Sequence, residues 1–467
     1  MRSIYFHDTM TGKTRLFEPV EPGVAKIYSC GPTVYNYAHI GNFRNFVFVD
    51  VLRRTLKLFG YSVKHVMNIT DIDDKIIRNA AQEGISCEAL ARRYEQAFFE
   101  DCTFLNLEPK EFNPRATEHI PEMIALVQKL IDRGFTYEAD GSVYFKISQF
   151  RAYGKLSGIQ PDGMKTGARA DADEYTKEDL RDFVLWKGRK PDEPFWETPF
   201  GQGRPGWHLE CSAMSSRYLG DTFDIHTGAE DLVFPHHENE IAQSEAATGK
   251  PFVNYWLHCA FLNMRSEKMS KSLGNIVTLH DLARSGIDPR SIRYFLLSVH
   301  YRKPLNYTEE SIEAAGAAVA RLQGFYQRVR EIVSNGQASP ASVCLADRIN
   351  AARSDFYEGL ADDLNTARSL GALFELVRDA NPLIELRQLK TEDARSILEL
   401  LEDADRVLAI LETQTELLPD EIEDLIRQRQ EARKARDFQR ADAIRIHLAD
   451  RGIQLEDTRD GVRWRKA

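Results

Sequence analysis

The chain has 467 residues and a formal net charge of −10, enough for two or three domains with real cores and too acidic for a general nucleic-acid coat, though not for one specific RNA partner on a local basic face. No run approaches the ~18 uninterrupted apolar residues of a membrane span, and MRSIYFHDTM lacks the apolar core and cleavage site of a signal peptide, so a cytoplasmic protein without a membrane partner is expected. Six scattered cysteines (Cys30, Cys87, Cys102, Cys211, Cys259, Cys344) do not make a disulfide framework, and the last two with Cys87 and Cys102 carry no signal beyond burial.

The first part of the chain reads as β-α-β-α. A strand over 25–29 ends at Cys30 and a Gly-Pro break. A helix over 42–59 follows, with Phe46, Val49, Leu52, Leu56 and Phe59 at helical spacing and Gly60 as its stop. A second strand over 61–69 leads into a helix in DIDDKIIRNAAQ. This is the rhythm of a doubly wound, Rossmann-type parallel sheet. The rhythm then breaks: a helix over 117–133, a hairpin turning at Ala139-Asp140-Gly141, and a polar stretch over 160–182 read as an insertion. Strand and helix signals resume at Gly206. After Glu309 the pattern is helical, with Thr308 and Ser339 as expected caps, and a charged helix and short strand-like tail close the chain at Arg463-Trp464-Arg465. The expected α/β architecture is therefore a split catalytic domain (1–116 and 205–308) around an insertion (117–204), then an all-α bundle (309–418) and a small C-terminal domain (419–467).

Two constellations carry chemistry. In PHHENE, His236 and Glu240 stand four apart, on one face of a helix that Pro235 is expected to open, and such a pair can grip a metal ion. Soft thiolates are the usual companions of His at zinc. Cys30 at the carboxyl end of a strand and Cys211 in GRPGWHLECSAMS have suitable contexts. On the residues alone, a solvated helix end is the competing reading for PHHENE. The second constellation is YNYAHIGNFR. It opens a helix whose free N–H groups are expected to receive phosphates, with His39 as a donor to an oxygen gaining charge and Gly41 admitting a nucleotide against the backbone. Far downstream, Lys268 and Lys271 in SEKMSKSLGN bracket a polar loop suited to clamping a triphosphate.

HIGN after a strand, KMSKS after a second half-sheet and an insertion between them resemble a class I aminoacyl-tRNA synthetase. CGPTVY from Cys30, NITDIDDK from Asn68, GWHLECSAM from Gly206 and FPHHENEIAQS from Phe234 make the chain resemble the cysteinyl branch over nearly its whole length. The resemblance implies zinc on Cys30, Cys211, His236 and Glu240, and phosphate handling by His39 to Asn42. It implies a flexible loop over 268–272 with Lys271 nearest ATP. It also implies Thr70 in an amino-acid pocket, Trp207 beside the substrate's sulfur, and Gly228 and Asp231 at the adenosine ribose. The class signature ends in His where this chain has Asn42, which keeps an N–H donor but cannot carry charge.

The activity so implied is formation of cysteinyl-adenylate from L-cysteine and ATP, with Mg2+ accompanying ATP, and transfer of cysteine to tRNA(Cys) by a monomeric enzyme. One Zn2+ per chain would select cysteine over serine through the substrate thiolate, so no editing domain is expected. The tail would meet the anticodon, with Trp464 either stacked on a base or packed on the preceding helix. Two rivals are a ligase that delivers cysteinyl-adenylate to an amino sugar, and an inactive zinc-containing RNA-binding protein.

Overall fold

A computed structural model describes residues 2–159, 182–264, 267–268, 277–336, 343–411, 420–434, 437–451, 453–458 and 461–466. Its centre is a four-stranded, wholly parallel sheet ordered Val253–Cys259, Phe223–Ala229, Val24–Ser29, Ser62–Met67. Strand alternation sends Ile27, Met67, Ile225 and Leu257 into one core and Tyr28, Val66 and Trp256 into another, so each face is covered. This is the expected α/β fold. Chain order reverses between Val24–Ser29 and Phe223–Ala229, and a doubly wound sheet opens its ligand crevice at that point, beyond the strands' carboxyl ends.

The helix Ile40–Leu58 starts two residues earlier than its apolar spacing suggests, because His39 is its N-cap. The Asn42 N–H donates to His39 Nδ1 at 3.2 Å and the His39 N–H donates to Asn42 Oδ1 at 3.1 Å, a reciprocal capping box. The Ile40 N–H donates to the Val277 carbonyl and the Phe43 N–H to that of His39. The helix start therefore offers fewer free donors for phosphate than expected, since the Ile40, Asn42 and Phe43 N–H groups already donate to Val277 and His39.

The insertion is more structured than its polar sequence suggests. Five antiparallel strands order as Thr136–Ala139, Ser142–Phe145, Phe183–Gly188, Gly201–Pro205, Trp196–Thr198, of which only the first hairpin, turning at Asp140-Gly141, was legible. An N-terminal hairpin, Tyr5–Asp8 with Lys13–Leu16, also escaped the pattern reading. The polar stretch over 160–181 lies outside the described residues, as do the expected cap Ser339 and Lys271.

The helices Glu309–Asn335, Val343–Ala361, Thr366–Glu385 and Thr391–Leu408 follow, the first capped by Thr308 as expected. All belong with the sheet to one compact unit, Met1–Leu411. The second unit, Glu412–Ala467, contains the helices Asp420–Lys434 and Phe438–Asp450 and the antiparallel pair Ile453–Thr458 and Gly461–Lys466. The side chains of Arg463, Trp464 and Arg465 are outside the description. Among the described residues no helix is long and apolar enough to cross a membrane.

Within the first unit, Arg293 on the helix Pro289–Leu297 is buried. Its guanidinium meets Asp50 Oδ2 at 2.6 Å and donates to the carbonyls of Leu105 and Leu408, tying the signature helix to the end of the bundle. Truncating Arg293 leaves Asp50 paired with Arg54, at 2.7 Å, and leaves buried carbonyls unpaired. Arg293→Ala is expected to cost about 1–3 kcal/mol, read as a fall in the denaturant midpoint.

Candidate metal and nucleotide site

Four side chains from distant parts of the chain converge where the sheet reverses. Cys30 follows the strand Val24–Ser29, Cys211 lies on the helix Trp207–Leu219, and His236 and Glu240 flank the start of the helix Glu238–Thr248. Phe234 is extended at φ −138°, ψ 132°, and the helical course runs from Pro235, where the helix was expected to open, which keeps His236 and Glu240 four apart on one face. All four side chains are buried, which removes the solvated helix end as a reading of PHHENE.

Zinc holding two thiolates, an imidazole and a carboxylate at ~2.0–2.3 Å in a tetrahedron would space them about 3.3–3.8 Å apart. Cys30 Sγ stands 3.9 Å from Cys211 Sγ and 3.8 Å from Glu240 Oε1. His236 Nε2 stands 3.5 Å from Cys211 Sγ and 3.1 Å from Glu240 Oε1. The donor set fits zinc in chemistry and in spacing. A second group, Cys30, His226, His237 and Glu240, shares two of these donors. It brings one sulfur instead of two, and its imidazoles already act as struts. His226 Nε2 holds Glu240 Oε2 at 2.9 Å. His237 bridges Cys30 Sγ at 3.4 Å and His258 at 2.8 Å. His208 braces His236 from the other side, Nδ1 to Nδ1 at 2.8 Å. Such outer partners fix the orientation of metal-ligating groups.

The electrostatics suit a cation. Burial pushes the Cys30 thiol well up, reinforced by Cys211. Burial acts the same way on Cys211, but hydrogen bonding to Cys30 and His236 outweighs it and lowers that thiol to about 6. Burial opposes charge on His236, yet Glu240 and Cys211 raise it to about 10. Burial likewise works against the Glu240 carboxylate, which His226 and His236 hold down at about 2. The protein groups alone therefore settle as a thiolate and a carboxylate around one imidazolium. A divalent ion would take that proton's place.

A cleft of about 300 Å³ runs from Cys30 past Thr33, His39, Gly41 and Asn42 to Asp231. Gly31 at its base must lack a side chain, since a Cβ would lie 1.6 Å from the Asn68 carbonyl oxygen. Thr70 is buried, its hydroxyl donating to Glu210 Oε2 at 2.7 Å. Trp207 is 40% exposed with its ring 4.2 Å from that of His236. Gly228 does not line the cleft. It backs His237, whose Cε1 would sit 2.6 Å from an added Cβ. Lys268 pairs in a short strand with Asn263.

Sequence reading noted His208 only as a neighbour of Cys211, missed His226 and His258, and left His237 to the solvated-end reading. Their signal was concentration: with His236 they make five of the chain's 12 histidines in one cluster around the donors.

A family model for the tRNA synthetases class I (C) catalytic domain matches residues 16–317, a DALR domain model matches 355–412, and a Cysteinyl-tRNA ligase anticodon binding domain model matches 415–465. The chain is a cysteinyl-type class I aminoacyl-tRNA synthetase by family. It is 49% identical to the Cysteine--tRNA ligase of Solibacter usitatus, over 99% of this chain and 100% of that one. It is 48% identical to that of Geobacillus thermodenitrificans over the full length of both. Among solved structures, methionyl-tRNA synthetase of Mycobacterium tuberculosis in complex with methionyl-adenylate aligns with a TM-score of 0.60 at 19% identity. That alignment covers 83% of this chain and 90% of the other. A leucyl enzyme, the LeuRS-tRNA-LeuAMS complex of Agrobacterium radiobacter, gives 0.62 at 10% identity, over 84% and 85%. These two likenesses speak to the synthetase fold alone.

Loss of the His226 strut should loosen Glu240 without removing a donor. His226→Ala is expected to weaken Zn2+ or Co2+ binding by about 10–100-fold, measured by chelator competition.

Proposed function

We propose that this synthetase joins L-cysteine to ATP, forming cysteinyl-adenylate and pyrophosphate, and passes the cysteinyl group to the 3′ end of tRNA(Cys). One observation carries the reading: a buried S2NO donor set adjoins, through Cys30, the same cleft that the HIGN signature lines. The identity of about half over full length to curated Cysteine--tRNA ligases supports it. The anticodon-domain match at 415–465 favours RNA over an amino sugar as acceptor.

In the first step a carboxylate oxygen of cysteine attacks the α-phosphorus of ATP, and the bond to the bridging oxygen of pyrophosphate breaks. In the second, a terminal ribose hydroxyl attacks the adenylate carbonyl and AMP leaves. No protein nucleophile is required; the residues orient the reactants and stabilise developing charge. His39 donates toward the phosphates beside Gly41, and Asp231 receives the ribose from the opposite wall. Asn42 acts chiefly as the cap that fixes His39. Lys268 and Lys271 neutralise departing pyrophosphate, with Mg2+ accompanying ATP. Thr70, held by Glu210, and Trp207 bound the amino-acid pocket. Cys30, Cys211, His236 and Glu240 would hold a zinc ion, which would supply a thiophilic Lewis acid favouring the substrate's sulfur over serine's hydroxyl at neutral pH. The domain layout read from the sequence assigns the helices after Glu309 and the small second unit to RNA.

Cysteine-dependent ATP–pyrophosphate exchange tests the reading. Exchange with serine within about tenfold of cysteine, the range an apolar pocket alone would give, contradicts metal-assisted selection. Cys211→Ser should lose bound zinc and exchange together, and full exchange in a zinc-free variant would separate the metal from recognition.

The division of labour makes its own expectation. A chain truncated after Leu411 should keep exchange while charging of tRNA(Cys) weakens at least tenfold. Equal loss of both would count against an RNA-only role for the second unit.

A further inference from the structure

A rigid aromatic group stands at the mouth of the cleft, on the signature loop but apart from the donor set. Tyr37 is 42% exposed. Its ring lies nearly parallel to that of His280 at 5.5 Å and 17°, and edge-on to Tyr94 at 5.3 Å. His280 belongs to the short helix Leu279–Arg284, and Tyr94 to the long helix Cys87–Phe104, so two separate elements hold one ring. Arg93 covers Tyr94 at 4.9 Å while paired with Glu83. Tyr37 is also the wall shared by the cleft and an outer groove of about 230 Å³, whose other lining includes Arg93, Gln96, Glu100, Asp101 and His280.

We propose that Tyr37, braced by His280, is the stacking platform for the base of the RNA's 3′-terminal nucleotide, with its polar edge turned toward Gln96 and Glu100. The proposal rests on the aminoacyl-transfer reading above. In that reaction the attacking ribose must enter the cleft while its base stays outside, and the groove lies beside the cleft, on the other side of Tyr37. Single-stranded RNA ends are recognised by stacking unpaired bases on aromatic rings and hydrogen-bonding their exposed edges. A ring already held by two neighbours loses little freedom when a base arrives. The groove's walls carry donors and acceptors of both signs, as a base edge requires and a bare phosphate does not.

The test uses the full chain with bound zinc, and tRNA transcripts that either carry or lack the terminal adenosine. Tyr37→Ala should raise the Kd and KM for the complete RNA about tenfold, and Tyr37→Phe should restore both. Wild type should lose a similar factor when the terminal adenosine is removed, and Tyr37→Ala should lose nothing further. His280→Ala should show a smaller loss of the same kind. The KM values for ATP and cysteine in pyrophosphate exchange should stay within about twofold. A rise in the KM for ATP would assign the platform to the nucleotide substrate and overturn the proposal. So would a penalty that is the same with and without the terminal adenosine. A wild-type chain that forms adenylate but charges no RNA overturns the underlying reading and the platform with it. Normal charging by both wild type and Tyr37→Ala overturns the platform alone.

Discussion

The structure depends on keeping two thiols, an imidazole and a carboxylate buried together at the carboxyl end of a parallel sheet. Each ionisable group there meets a burial penalty that only mutual compensation relieves. Glu240 is held ionised by two histidines and Cys211 is eased toward thiolate by Cys30 and His236. The cluster is stable because its parts are arranged, and they are arranged because the surrounding elements leave little choice. His226 takes one oxygen of Glu240 and leaves the other to His236 and Cys30. His237 and His258 continue the chain of contacts outward to the Thr9 hydroxyl in the N-terminal hairpin segment. A hairpin with no chemistry of its own thereby enters the support of the site.

Topology explains how residues 181 positions apart in sequence come to touch. Strand order reverses between Val24–Ser29 and Phe223–Ala229, and both strands end at the crevice. Close approach needs absent side chains at two points. At Gly31 the chain passes against the Asn68 carbonyl, and at Gly228 it admits the His237 ring. A methyl at either position would displace backbone or a strut. The buried Arg293–Asp50 pair then sets the signature helix against the end of the bundle, so cleft and bundle share one framework.

Much of this was legible because apolar periodicity and chain order are local or topological signals. The four donors could be named from the His–Glu spacing, from strand-end placement and from resemblance to a family. The supporting histidines could not. His226 and His258 sit in strands whose alternation looks like ordinary core, and nothing local distinguishes a buried strut from a buried Leu. The insertion sheet escaped for a different reason: its strand Gly201–Pro205 has the sequence GQGRP, with two glycines and a proline, and takes its conformation from pairing with Phe183–Gly188. Gly228 was expected at the ribose from a short motif, and the neighbouring His237 ring gives a second, purely structural reason for its lack of a side chain.

Asn42 shows why residue identity and residue role must be separated. Considered as a phosphate ligand, it is a weakened substitute for a charged imidazole. Its geometry gives it a different role, since its side-chain oxygen accepts the His39 N–H while its own N–H donates back to His39 Nδ1. A reciprocal cap of this kind contributes about 0.5–2 kcal/mol, and it restricts the imidazole that stands over the cleft. The bond engages Nδ1 as an acceptor, which leaves the proton of a neutral ring on Nε2. Position 42 therefore acts on the ring of His39, by fixing which nitrogen carries hydrogen, and a neutral amide does so without the charge the class signature would place there.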